Sequence, residues 1–502
     1  MSDARFTGNV FLRILLTVPL RFKGIILVPF LTALFPKELY GVWIQIILLR
    51  DLLTGLTTIR LDMALVRYME SARDAGRMLM QALYVTLVCG LLLLGILVTF
   101  DKPISRIAFG SEQYHGLLRL LGLWVCISAC LQVALAVFRA QMKIVTLSVR
   151  ELLSALWLIL CAVIAWYFRL GIEALLLMCI TGDAVILIWV LLQVRFTLSI
   201  SFSLSTWGPL KKYFKYSLPL VISFFFSWLA SSVDRFYVVK MLGLEHVGIY
   251  GIAYYVSNVV VCLLNPVNYV LLPKISREWE RGRTGDAFVF FSKAYGLIAL
   301  LGVPAVVGIC ALYQKVVTLL AGPQYLASWH LVLFLSLSVV LDRLCITSTY
   351  VYHLLNKTYV LPAIRAMTSL CSLTLCWLLT TRFGLLGAGM SRFLTFLLVL
   401  LFLVLWLRRK VPLHVPVKMI LKATGASLTM GVIVFVCPKE TALEMVLAVM
   451  IGALVYFLLL FLLAVVTLES LLSNLQSMLG SGAVGAGPGL FAGWRGRKGP
   501  LP

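Results

Sequence analysis

Residues 232–283 read SVDRFYVVKMLGLEHVGIYGIAYYVSNVVVCLLNPVNYVLLPKISREWERGR, and this stretch decides the fold. It carries an Asp-Arg pair inside an apolar segment, a short glycine-containing turn and a basic exit. Shifted back by 207 positions, its centre falls on KELYGVWIQIILLRDLLTGLTTIRLDMALVRYMESAR (37–73), with Glu245 over Glu38, Gly248 over Gly41, Ile249 over Val42, Tyr250 over Trp43 and Lys274 over Arg67. The chain is therefore expected to consist of two similar halves. In a hydrophobic protein such symmetry points to a transporter with its substrate site between the halves.

Outward from this repeat, composition fixes the solvent. At 62% hydrophobic and 13% charged, with a mean hydropathy of +1.02, the 502-residue chain cannot cover itself with polar surface. Lipid must cover it. A span needs roughly 20 apolar residues, and long apolar runs without period-2 alternation exclude a barrel. Apolar runs bounded by charge predict spans at 10–34, 39–59, 79–100, 117–138, 151–168, 171–194, 216–240, 246–273, 294–313, 328–352, 358–380, 384–407, 417–436 and 441–467. The expectation is an all-α polytopic membrane protein with about 14 transmembrane helices. They divide into an N-terminal lobe (1–200), a C-terminal lobe (201–410), two additional helices (411–470) and a cytoplasmic, disordered tail (471–502) rich in Gly and Pro.

The net charge of +23 would suggest nucleic acid in a soluble protein, but here it encodes topology. With the N-terminus cytoplasmic, 27 Lys and Arg residues fall in inside segments and nine in outside segments. One missed span would mix the two sets, so the bias supports both the count and the orientation. Both termini are expected in the cytoplasm. Arg21 and Lys23 interrupt the first apolar run, which therefore lacks the clean core of a cleavable signal. The eleven cysteines lie mostly in apolar runs without C-x-x-C, and the five histidines are scattered singly. Neither a metal nor a cofactor is expected.

Seven basic residues remain inside spans: Arg21, Lys23, Arg50, Arg235, Arg343, Arg365 and Arg392. Each costs at least about 2.5–3.5 kcal/mol near the bilayer centre, so together they must line a wet interior or be paired. Acidic residues at similar depth are Asp51, Asp183, Asp234 and Asp342, with Asp62 near the rim of the second span. Neighbours in sequence diverge by about 100° around a helix, so each Asp-Arg pair is expected to send one charge to the lumen and the other to a neighbouring helix. An interior excess of positive charge favours an anionic substrate such as a phosphate. Asp183, with no adjacent base in sequence, reads as the best candidate for a protonatable carboxylate. Tyr40, Trp43, Trp207, Trp228, Tyr254, Tyr255, Trp329 and Tyr352 lie near span ends, where interfacial anchoring is the main reading.

The YGVW and VGIY turns, the ALVRY ending of the second span, the DRFYVVKMLG end of the seventh and the fourteen spans together resemble the polysaccharide (O-antigen type) flippases. These belong to the multidrug/oligosaccharidyl-lipid/polysaccharide exporter superfamily. The resemblance covers roughly residues 5–470 and lies in architecture more than in any one motif. It implies two pseudo-symmetric six-helix lobes around a central cavity. It also implies alternating-access transport of a polyprenyl-pyrophosphate-linked oligosaccharide across the bacterial cytoplasmic membrane, for exopolysaccharide or O-antigen biosynthesis, with a polymerase as a possible partner. On that reading Arg21, Lys23, Arg50, Arg235, Arg343 and Arg365 meet the anionic headgroup, and Asp62, Asp183, Asp234 or Asp342 couple transport to protons or sodium. A lipid II flippase and a cation-coupled multidrug exporter are the alternatives, the latter expected to have twelve spans and an acidic interior. A membrane enzyme would need a sizeable outer loop with acidic or His/Arg residues, and the loops here are too short.

The charge bias makes the topology testable. A reporter active only outside the membrane should be active when fused after residue 112 and silent after residue 283, and the reverse pattern would overturn the orientation.

Overall fold

The computed structural model describes residues 22–69, 75–197, 208–355, 357, 359–408, 417–437 and 441–463, and every regular element among them is helical. Arg21, the first part of the first expected span and the C-terminal tail lie outside the described residues. The first helices are α1 (Phe22–Leu34), α2 (Lys37–Thr57) and α3 (Leu61–Tyr68). Next come α4 (Ala75–Thr99), α5 (Asp101–Phe109), α6 (His115–Ala140), α7 (Ile144–Tyr167) and α8 (Ile172–Thr197). The second repeat supplies α9 (Gly208–Leu242), α10 (Leu244–Ser257), α11 (Val259–Glu280), α12 (Thr284–Ala321), α13 (Trp329–Leu354) and α14 (Val360–Arg408). α15 (Val417–Val436) and α16 (Ala442–Leu462) end the described chain.

Twelve of these helices are long and apolar enough to cross a bilayer. Length alone thus gives twelve rather than fourteen, and the difference lies at α14 and α1. The 49 residues of α14 run across a kink at Gly384, whose φ of 56° and ψ of −134° suit glycine and few other residues. α1 is short because its expected start falls outside the described residues. The expected eighth span is two helices, broken where the Asn258 side chain donates to the Tyr254 carbonyl at 3.0 Å.

The chain divides into two compact units. The first comprises the described residues of Met1–Cys262 together with Val316–Leu403. Here α2 and α10, the repeat-related helices, pack directly on each other. A Cβ added at Gly41 would sit 2.0 Å from the Leu244 carbonyl oxygen, and one at Gly248 would sit 2.9 Å from the Lys37 carbonyl oxygen. Because 37 and 41 map onto 244 and 248 under the shift of 207, the two contacts are the same contact made twice. Small residues at such crossings let backbones approach where lipid offers no hydrophobic drive. In the same unit Arg119 donates to Asp101 Oδ2 at 2.8 Å, seating the short helix α5 on α6. This bond, with burial opposing it and His115 assisting, holds the Asp101 carboxyl below the usual range.

The second unit comprises Leu263–Lys315 and the described residues of Val404–Pro502. There Tyr456 of α16 donates to the Leu300 carbonyl of α12 at 2.7 Å. Gly431 of α15 lets the Val307 side chain come within 2.4 Å of where a Cβ would stand. The other face of α16 exposes Leu454, Phe457, Leu458 and Phe461, the composition a lipid-facing helix needs.

The glycine crossing predicts two positions intolerant of a side chain. Gly41→Val and Gly248→Val should each cost about 1–3 kcal/mol or more, seen as lost yield and lowered unfolding temperature in detergent. Gly116→Ala, where an added Cβ meets nothing within 4 Å, should fold as wild type.

Candidate functional site

One turn beyond the glycine crossing, where Gly251 of α10 meets the Ile44 side chain of α2, these helices and α9 line a cavity of about 250 Å³. Ile44, Ile47, Leu48 and Asp51 line it from α2, Trp228, Ser231, Ser232 and Arg235 from α9, and Gly251, Tyr254 and Tyr255 from α10. Asp51 lies ten residues past Gly41, about 15 Å along the axis. Gly24 of α1 rests on the Tyr255 ring, 3.0 Å from a would-be Cβ, and so holds the start of α1 beside the cavity. Lys23, Arg50 and Arg235 consequently all lie within electrostatic range of Asp51. Three helices of the first repeat and two of the second contribute to one charged neighbourhood: Lys23, Arg50 with Asp51, and Asp183 on one side, Arg235 and the tyrosines on the other.

Arg235 is the cation that lines the cavity itself. It is 6% exposed, its guanidinium lies 3.9 Å from the centre of the Tyr254 ring, and no carboxylate comes within 4.0 Å of it among the described residues. Arg50, in contrast, is held. It donates to Asp183 Oδ2 at 2.9 Å and to Ser128 Oγ at 3.0 Å, and stands 4.3 Å from the Trp124 ring centre. The same Asp183 oxygen accepts from Trp124 Nε1 and Ser128 Oγ, each at 2.8 Å. Three donors thus converge on one oxygen of this carboxylate. The base that Asp183 lacks in sequence is supplied in space by α2.

The other expected coupling carboxylates also face arginines. Asp234 is 3% exposed and accepts from Tyr250 Oη at 2.6 Å and from Arg392 Nη1 at 3.1 Å, while Arg392 also donates to the Ser231 carbonyl at 2.8 Å. Asp62, fully buried, accepts from Gln132 at 3.2 Å and has Arg139 at 3.8 Å. Asp342 pairs with Arg343 beside it. The expectation that an Asp-Arg pair splits between lumen and neighbour therefore holds for Asp234 and Arg235 but not for Asp342 and Arg343, because an arginine is long enough to fold back onto the preceding residue. Arg343 on α13 and Arg365 on α14 do not line the cavity, and Arg365 has no carboxylate within 4.0 Å among the described residues. No cluster of three or more His, Cys, Asp or Glu residues suited to a metal occurs among the described residues.

Sequence reasoning did not assign Asp51, Arg392 or the tyrosines to the site. Asp51 and Arg392 were visible as charges at membrane depth, but nothing local marked their partners. Tyr254, Tyr255 and Trp228 read as interfacial anchors, yet they line the cavity. Tyr40 and Trp43 are likewise interior, packed on Tyr325 and Trp124.

Away from the cavity lining, α2 and α3 pack against the first half of α9. Phe224 fills the space left by Gly55, within 2.2 Å of a would-be Cβ, and the Arg60 guanidinium lies 5.1 Å from its ring centre. Tyr68 packs on Tyr213 and Tyr216, with Lys212 Nζ 4.5 Å from the Tyr68 ring centre and the Arg67 guanidinium 4.7 Å from that of Tyr216.

Twelve membrane-length helices around a charged cavity make this a polytopic membrane protein. The sequence model of the polysaccharide biosynthesis protein family matches residues 30–330, and the chain belongs to that family. A probable low-salt glycan biosynthesis flippase, Agl15, from Haloferax volcanii is 20% identical over 401 residues, which span 79% of this chain and 81% of that one. Among solved structures, the lipid II flippase MurJ in an inward closed conformation superposes with a TM-score of 0.72 at 14% identity, covering 95% of this chain and all of MurJ. An inward-facing multidrug resistance MATE transporter of the MOP superfamily follows with a TM-score of 0.67 at 13% identity, covering 79% and 94% of the two chains.

The two kinds of arginine should separate experimentally. Arg392→Ala strands a buried carboxylate and should destabilise the protein by about 3–5 kcal/mol, read as lost folded yield. Arg235→Gln, which breaks no ion pair, should leave yield and thermal stability near wild type.

Proposed function

We propose that this protein is a flippase, a transporter rather than an enzyme, that carries a polyprenyl-diphosphate-linked oligosaccharide across the bacterial cytoplasmic membrane by alternating access, for cell-surface polysaccharide biosynthesis. The observation that carries the reading is Arg235, a buried guanidinium without a carboxylate partner among the described residues, facing a cavity between repeat-related helices. A guanidinium fork matches phosphate oxygens, and a desolvated one gains most from them. Family membership and the glycan flippase relative support the same reading.

On this proposal Lys23, Arg50 and Arg235 hold the diphosphate, Tyr254, Tyr255 and Trp228 offer faces on which sugar rings stack, and the prenyl chain stays in lipid. Residues 1–200 and 201–410 act as the two lobes, 411–470 as the additional helices, and both termini stay in the cytoplasm. A multidrug-cation reading asks for a predominantly acidic cavity, whereas among the described residues the lining sets one carboxylate, Asp51, against Arg235, and Asp183 and Asp234 outside it are each engaged by an arginine.

Cells lacking the chain should accumulate lipid-linked repeat units, unpolymerised, on the cytoplasmic face. Complementation with Arg235→Gln should lower the rate at which units reach the outer face by at least about tenfold, since a charge-assisted hydrogen bond contributes about 1.5–3 kcal/mol. Normal delivery in the deletion strain would sink the proposal.

A further inference from the structure

Asp51 differs from the other carboxylates at membrane depth. Its nearest cation, Arg50 Nη1, is 4.0 Å away, no hydrogen bond reaches it among the described residues, and 64% of its side chain is accessible where it lines the cavity. The groups facing it are Arg50 on its own helix, Lys23 from α1, Arg235 from α9 and the hydroxyl-bearing Tyr254 and Tyr255 from α10. Among the described residues it is the only carboxylate in the cavity lining. Asp183, behind Arg50, is already occupied by three donors.

Charge counting shows what Asp51 does to this site. Lys23, Arg50 and Arg235 bring three positive charges, of which Asp183 offsets one. Two remain, matching the two negative charges of a diphosphate diester. An ionised Asp51 offsets one more, leaving the cavity a single positive charge short of its substrate. In the empty cavity this anion offsets repulsion among the three cations that face it.

We propose that Asp51 is the cavity's built-in counter-anion: its carboxylate stands in for a substrate phosphate oxygen when the carrier is empty, competes with the diphosphate for Lys23, Arg50 and Arg235, and so lowers affinity enough for the headgroup to leave. The proposal rests on the headgroup reading above. Its signature is a gain of affinity on removing a charged residue from a binding site. Protonation removes the competitor, so diphosphate affinity rises as pH falls through the titration of this carboxyl. A diphosphate diester has no group of its own titrating in that range.

The test uses the purified full-length protein in nanodiscs, a short-chain prenyl diphospho-sugar as the probe, calorimetric binding between about pH 5 and 7.5, and flipping assays in proteoliposomes. Asp51→Asn should bind the probe about tenfold tighter than wild type near neutral pH, show a flat pH profile and turn over more slowly at saturating substrate. Asp51→Glu should restore wild-type pH dependence, which a merely structural role would not. Unchanged or weaker binding by Asp51→Asn, or an unaltered pH profile, overturns the counter-anion while leaving the headgroup site standing if Arg235→Gln still abolishes binding. No binding by wild type, or binding indifferent to Arg235→Gln, overturns both.

Discussion

The approach of two backbones at Gly41 and Gly248 governs the geometry of the first unit. Each glycine meets a carbonyl oxygen of the opposing repeat, at positions the repeat itself makes equivalent. One turn further along, Gly251 again makes room for a side chain of the opposing repeat, Ile44, and Ile44, Ile47 and Leu48 line the cavity ahead of Asp51. Arg235 and Asp51, more than 180 residues apart in the chain, face the same volume because of a contact neither of them makes.

Within that frame the two repeats neutralise buried charge in opposite senses. The first holds an arginine on the cavity helix α2 with a carboxylate on α8, through Arg50 and Asp183. The second holds a carboxylate on α9 with an arginine on the far part of α14, through Asp234 and Arg392. An unpaired charge in the apolar interior costs several kcal/mol, so each pair fixes the angle at which its helices meet. Tyr254 links the sides, with Arg235 at 3.9 Å and Arg392 at 5.0 Å from its ring centre. The aromatic ring gives Arg235 a stabilising neighbour that a phosphate can supplement without first breaking an ion pair, which a carboxylate partner would not allow.

The sequence made the helices legible because lipid leaves so few options, and made the repeat legible because Glu38, Gly41 and Trp43 recur as Glu245, Gly248 and Tyr250. Although Arg150, 2% exposed, reads from sequence as an inside-loop residue, the sequence also named most of the charges at membrane depth. It could not pair them. Arg50 and Asp183 are separated by 133 positions and Arg392 and Asp234 by 158, and no periodicity within one helix encodes which face of another it will meet. The break at Asn258 escaped for a related reason: a helix whose ends are both apolar gives no compositional sign of an interruption made by one side chain capping a carbonyl. Aromatic residues misled most, since Tyr254 and Trp228 are as suited to a membrane interface as to a wet interior, and only the packing of α1 and α9 decides between them.

The glycine crossing and the α3–α9 contact are built from different physics. At the Gly41–Gly248 end the closure is main chain against main chain, so separating it moves whole helices and exposes a surface shaped for one partner. At the α3–α9 end it is Tyr68, Tyr213 and Tyr216 with Arg67 and Lys212 above their rings, contacts worth about 0.5–1 kcal/mol each where exposed, and ones that water or anionic headgroups replace readily. The left-handed backbone at Ile59 and Arg60 sits where α2 gives way to α3, a local strain relieved by any rotation of α3. An end held by a few cation–aromatic contacts next to a strained joint opens at lower cost than one held by interlocked backbones.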